Sequence, residues 1–204
     1  MKSQFEIKDQ STIDAILAKA EYGTLALCQD NLPYALPINF VYLGREFYFH
    51  GSKKGKKMQM MASNPKASLS VVEPFALIPS YFSSNEQMAC PASHFFRSIS
   101  VDGVIEIVSS YEEKVKALEA LMQKLQSEGG YIPLSDPRYQ KMIDVTQVFK
   151  LIPDEIRGKV KLGQHLSQER FNMIVEHLTE RGSELDKLTI KEMLARKSKW
   201  IKVS

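Results

Sequence analysis

Phe49-His50-Gly51-Ser52-Lys53-Lys54-Gly55-Lys56-Lys57 joins an apolar run to four lysines and two glycines, and the reading of the whole chain turns on it. Glycine lets backbone N–H groups approach an oxyanion closely, and lysine ammonium groups neutralise it, most effectively where a helix begins. The alternative is a basic loop that simply faces water. The flanks favour the cradle. Upstream, Thr24 to Cys28, Tyr34 to Tyr42 and Glu46 to His50 read as strands separated by turns at Asp30-Asn31 and Gly44-Arg45, an antiparallel meander. Pro33 and Pro37 lack an N–H donor, so the middle strand is expected at a sheet edge or with a bulge, leaving backbone groups for a ligand. Downstream, Lys56 to Ser63 has the length of a two-turn helix ending at Asn64-Pro65.

Further elements follow from periodicity. Ser11-Thr12-Ile13-Asp14 has the form of a capping box, and Ile13, Ile16, Leu17 and Ala20 predict a helix over about residues 12 to 21. Strands are expected over Ala67 to Val72, Ala76 to Pro79, Phe95 to Val108 with a bend at Gly103, and Thr146 to Ile156. Tyr111 to Gln126 reads as the best helix in the chain, with Val115, Leu118, Leu121, Met122 and Leu125 on one stripe. The last part is helical: Ser167 precedes Phe171, Ile174, Val175 and Leu178, Arg181-Gly182 ends that helix, and Thr189-x-x-Glu192 is expected to cap a final one. Strands in runs, with helices between and after them, predict an antiparallel barrel with helices, of the α+β class, rather than a doubly wound parallel sheet.

Composition narrows the function. With 204 residues, 44% apolar and 25% charged, the chain can bury a substantial core. No apolar run approaches a membrane span and the first residues lack a signal-peptide pattern, so a cytoplasmic protein is expected. Cys28 and Cys90 are isolated and read as packed thiols, and the four histidines show no ligand spacing, so no metal site is expected. A net charge of +3 is too mild to argue for nucleic acid, although basic residues also gather from Lys187 to Lys202. No dinucleotide fingerprint, P-loop, triad or carboxylate pair occurs, and no catalytic residue is assigned.

Tyr22-Gly23-Thr24-Leu25-Ala26, Pro33 to Phe40, Tyr48 to Lys57 and Asn64-Pro65, with Phe96 to Gly103 further on, resemble the pyridoxamine-5′-phosphate-oxidase-like FMN-binding split barrels, in particular the nitroimidazole-reductase branch. The resemblance covers roughly residues 10 to 160. It implies a six-stranded antiparallel split barrel over residues 1–157, a helical extension over 158–204, and a homodimer with FMN at the subunit interface. Pro37, Ile38, Asn39 and Phe40 would line the flavin ring with backbone. His50, Gly51, Ser52, Gly55, Lys56 and Lys57 would take the ribityl chain and phosphate, and Ser98 would contribute on a strand supplied by the other subunit of the dimer. Which of Lys56 and Lys57 turns inward is left open. The implied activity is an oxidoreductase in which flavin takes hydride from NAD(P)H and passes electrons to a small acceptor, a chemistry the cofactor carries.

Two departures stand out, Thr24 and Lys56 where that family commonly has Arg; lysine lacks the planar two-pronged fork of arginine. The stretch Lys159-x-Lys161-Leu162-Gly163-Gln164-His165 resembles an extension of FMN-binding proteins related to Pai-type negative transcriptional regulators, with Gly163 and His165 in place of Ser and Asn. A non-catalytic FMN or haem sensor, or such a regulator, is therefore the alternative to an enzyme.

Overall fold

The computed structural model describes residues 2–201, excluding the side chains of 198–201; Lys202 of the basic C-terminal run lies outside the described residues. In chain order the elements are β1 (Glu6–Ile7), α1 (Gln10–Lys19), β2 (Gly23–Gln29), β3 (Leu32–Ile38), β4 (Val41–Leu43), β5 (Glu46–Gly51), α2 (Lys56–Ser63), β6 (Lys66–Ile78), β7 (Ser93–Ile107), α3 (Tyr111–Leu125), α4 (Gln140–Val145), β8 (Gln147–Lys161), α5 (Gln168–Arg181) and α6 (Glu184–Ile201). The strands form one sheet in the order β3-β2-β6-β7-β8-β5-β4, with β1 paired to β8. Eight strands stand where six were expected. The stretch read as one strand from Tyr34 to Tyr42 is two, because Asn39 and Phe40 leave the ladder, and β1 adds a short pair that periodicity alone does not reveal. Conversely, the runs at 67–72 and 76–79 are a single strand, β6, which continues through Pro74.

Two compact units divide the chain, one of residues 9–71 and 99–157, the other of 1–8, 72–98 and 158–204. In the first, β2 alternates buried and exposed residues, as a half-buried strand must, and β2 and β3 pair in unbroken register from Gly23↔Ile38 to Gln29↔Leu32. Strand β3 ends the sheet. Its prolines sit opposite Cys28 and Thr24, four residues apart, so both point their missing donor the same way and the ladder survives without a bulge. The turn before β3 holds Asp30 and Asn31 at φ 50° and 63°, the paired left-handed geometry of a tight hairpin.

Helix α1 begins earlier than expected. Asp9 caps it, its carboxylate accepting from the Thr12 amide at 3.0 Å and drawing in the Ser11 and Thr12 hydroxyls, which are thus unavailable as caps. Helix α3, capped by Ser110, packs through Ala117 onto Tyr48, Val108 and Val148. Its inward face differs from the expected stripe: Ala117 and Leu121 are buried and Leu125 is exposed. The Tyr48 hydroxyl lies 2.5 Å from Glu46 and 2.9 Å from Glu113, and burial together with these carboxylates pushes its pKa up.

The second unit has its own core, including Phe75, Ile78, Phe95, Val160, Phe171, Ile174 and Leu178. Helix α5 runs from its Ser167 cap to Gly182, which ends it at φ 66°. Helix α6 starts earlier than its expected cap. Ser183 and Asp186 exchange backbone-to-side-chain bonds at 3.1 Å, and Asp186 also receives Arg181, which holds its carboxyl down at about 2. Thr189 is instead fully buried inside the helix, donating to Leu185 O and accepting from the Ala76 amide. Neither cysteine is packed: Cys28 and Cys90 are both exposed. No helix among the described residues is long and apolar enough to cross a membrane.

Gly103 lies inside β7, where another strand approaches closely. A Cβ there would collide with the Ile152 carbonyl oxygen and meet Pro153 Cα at 2.9 Å, both backbone atoms that cannot swing aside. Gly103→Ala is expected to lower the unfolding free energy by about 3 kcal/mol in urea titrations, as overpacking does; unchanged stability would show that the strands separate freely there.

Candidate functional site

The lysine loop lies entirely within the first unit. Strand β5 carries Phe49, buried and opposite Phe149 of β8, then exposed His50 opposite Val148, then Gly51 opposite Gln147. Ser52 leaves the ladder, and its hydroxyl accepts from the Lys54 amide at 3.1 Å, tightening the turn. Gly55 follows at φ 106° and ψ 176°, a region essentially reserved for glycine, and stands at the N-cap of α2. It has no side chain to cap the helix. The first N–H groups of α2 therefore remain available at the positive end of the helix dipole.

The two candidate lysines part ways. Lys56 is exposed, its ammonium 4.5 Å from the centre of the Tyr34 ring on β3. Lys57 turns inward and is half-buried. Its ammonium lies 5.6 Å from the Phe49 ring centre and 5.5 Å from that of Phe149, which stack at 5.2 Å. It occupies the space a Cβ on Gly51 would need, so the absence of a side chain there leaves room for it. Burial alone pushes the Lys57 pKa down, and no described carboxylate lies within ion-pair distance of it. A desolvated cation without a counter-charge, beside uncapped helix amides, has the donor chemistry of a phosphate site.

The residues expected along the flavin ring divide by exposure. Pro37 and Asn39 are exposed, whereas Ile38 and Phe40 are buried, so the latter two could meet a ligand through backbone only. Lys124 of α3 reaches this segment. It donates to Phe40 O at 2.8 Å and to Leu17 O at 3.4 Å, with its ammonium 4.1 Å from the centre of the Phe40 ring. It thereby holds the break that follows β3. Sequence reading missed it because an apolar stripe counts only apolar residues; the spacing from Ala117 and Leu121 was the available signal. Ser98, the remaining candidate, is half-buried on β7 within the second unit.

With this geometry in view, comparison with known proteins decides the family. Residues 9–160 match the model of the pyridoxamine 5′-phosphate oxidase family. The chain belongs to that family. It is also 32% identical over 81 residues to the uncharacterized protein RA0666 of Rhizobium meliloti (strain 1021), covering 40% of this chain and about half, 48%, of that one. A solved structure of a candidate 5-nitroimidazole antibiotic resistance protein from Bacteroides thetaiotaomicron is similar at 24% identity with TM-score 0.61, over 76% of this chain and 86% of that one. The FAD and haem binding protein of Mycobacterium smegmatis is similar at 24% identity with TM-score 0.63, over 76% and 73%. The flavocytochrome Anf3 of Azotobacter vinelandii follows at 22% with TM-score 0.62, over 77% and 69%. These likenesses establish the fold, an antiparallel split-barrel sheet with helices.

Burial pushes the Lys124 pKa down to about 8. Between that value and the ordinary 10.5, the unfolded chain holds a proton that folded Lys124 has released, so this residue makes stability rise with pH across that window. In urea titrations at pH 7 and pH 9.5, Lys124→Met is expected to flatten the rise seen in the parent protein. An equal rise in both would show that Lys124 is solvated.

Proposed function

We propose that this chain binds FMN through the 50–57 loop and works as a homodimeric flavin-dependent oxidoreductase, carrying electrons from reduced nicotinamide to a small acceptor. The observation that carries the flavin reading is the half-buried Lys57 ammonium, unpaired beside the uncapped start of α2. Family membership supports it, as does the flavin named for the similar proteins of M. smegmatis and A. vinelandii. The donor set suits a terminal phosphate. Lys57 would supply the charge, the α2 amides would orient the oxygens, and Gly51 and Gly55 would clear the approach, with Ser52 and His50 toward the ribityl chain. Lys56, held outward over Tyr34, would add long-range attraction. Pro37 and Asn39 would face the ring from the sheet edge, with Ile38 and Phe40 offering backbone and Lys124 fixing the segment's position, while Ser98 would be contributed by the second copy of the chain in the homodimer.

When bound, the flavin supplies the hydride and electron transfer, so the protein needs no acid or base of its own. Its residues bind, orient and exclude water. The haem named for one similar protein keeps a second reading open to test, that of a haem-binding or regulatory protein.

Fluorescence titration with FMN, FAD and riboflavin tests the assignment. FMN should bind far more tightly than riboflavin, and Lys57→Ala should weaken FMN by about tenfold to a hundredfold while leaving riboflavin unchanged, the scale of one charge-assisted hydrogen bond. Equal affinity for FMN and riboflavin, or FMN binding indifferent to Lys57→Ala, would contradict it. A Soret band in place of the flavin absorption would favour haem.

A further inference from the structure

The second unit contains a cavity of about 550 Å³ that the flavin reading leaves unused, within the size range of small-molecule sites. The stretch from Lys159 to His165, singled out in the sequence, forms one side of it. Strand β8 ends at Lys161, and Gly163 turns at φ 79° against the Phe95 ring, where a Cβ would come within 3.2 Å. Gln164 pins the turn by donating to Val160 O at 2.8 Å and accepting from the Leu162 amide at 2.7 Å. This conformation delivers Lys161, His165, the Ser167 cap and Arg170 to one wall. Ile78, Phe95 and Ile174 form the apolar part.

The cationic groups are fixed but not neutralised. Lys161 donates to Ser93 Oγ at 2.5 Å, and Arg170 donates to Ser83 O at 2.9 Å and Ser83 Oγ at 3.2 Å. Neither has a carboxylate within ion-pair distance among the described residues. Glu86 is the one acidic residue on the lining, set against Lys161 and Arg170. His165 registers the resulting field: partial burial first, then Lys161, Arg170 and Lys2, push its pKa down. The lining also includes the start of α5, whose dipole adds to the positive potential.

We infer that this cavity is a binding site for a small organic anion, a carboxylate, sulfonate or phosphate carried on an apolar body, with Lys161 and Arg170 on the acidic group and Phe95, Ile78 and Ile174 against the body. Serine hydroxyls and a carbonyl hold both cations in place, so the anion meets charges already oriented. Exposed Cys90 and Met88 lie along the rim. The site does not depend on the flavin assignment.

The test uses two probes with the same aromatic body, 1-anilinonaphthalene-8-sulfonate and the uncharged N-phenyl-1-naphthylamine, with fluorescence read on the full chain. The sulfonate should bind saturably, one per chain. Lys161→Met and Arg170→Met should each weaken it at least tenfold while shifting the uncharged probe less than threefold, and Lys161→Arg, which keeps the charge, should restore it. Saturating FMN should leave the sulfonate in place. Three results would overturn the proposal: sulfonate affinity equal in parent and both methionine variants, equal losses for the two probes, or displacement by FMN, which would assign the cavity to the flavin. Restoration by Lys161→Arg separates loss of charge from loss of fold.

Discussion

A cation held partly out of water without a counter-charge is the constraint around which the first unit is arranged. Lys57 could escape to solvent along its four-carbon stem, as lysines usually do. Instead the absence of a side chain at Gly51 lets it lie over the stacked Phe49 and Phe149 rings, and the cost of that burial shows as a depressed pKa. The rings repay part of it through their negative faces, by about 0.5–2 kcal/mol. A bound oxyanion would offset the rest. The pairing of β5 with β8, which sets Phe49 opposite Phe149, is thus also what positions the ammonium.

Two other buried cations are answered inside the chain. Lys124 is satisfied by two backbone carbonyls, and Arg181 by the buried Asp186 carboxylate. Those are structural solutions: the charge has partners inside the chain, and nothing needs to arrive from outside. Lys57 differs in having no such acceptor among the described residues, while Lys161 and Arg170 in the second unit, like Lys124, have hydroxyl or carbonyl partners but no carboxylate. A positioned cation without a carboxylate partner is what the two proposed sites share, although Arg196 and Lys197 of α6 are also partly buried without one among the described residues.

Much of this was legible in the residues. The β2-β3 and β4-β5 hairpins, the edge position of a strand carrying Pro33 and Pro37, α2 beginning after Gly55, and the Ser167 to Gly182 bounds of α5 all follow from local rules, whereas the expected continuous meander does not form, since β3 and β4 lie at opposite ends of the sheet. What escaped the sequence was long-range. The choice between Lys56 and Lys57 depends on which strand lies opposite Phe49, and the role of Lys124 depends on where α3 packs. Asp9 displaces the expected Ser11-Thr12 cap because a carboxylate bonded to both hydroxyls is the stronger acceptor, and Thr189, expected as a cap, has its hydroxyl satisfied inside α6. The strand count rose because Asn39 and Phe40 step out of the ladder, a break that the two prolines before it announce only in part.

The central claim is that Lys57 awaits a phosphate, and the most direct measurement is the NMR titration of its side chain with and without saturating FMN. The account predicts a pKa below the ordinary lysine value in the free protein, rising when FMN is bound because the dianion stabilises the charged form. A Lys57 pKa that stays where it was while FMN demonstrably occupies the protein would place the phosphate elsewhere and contradict the account.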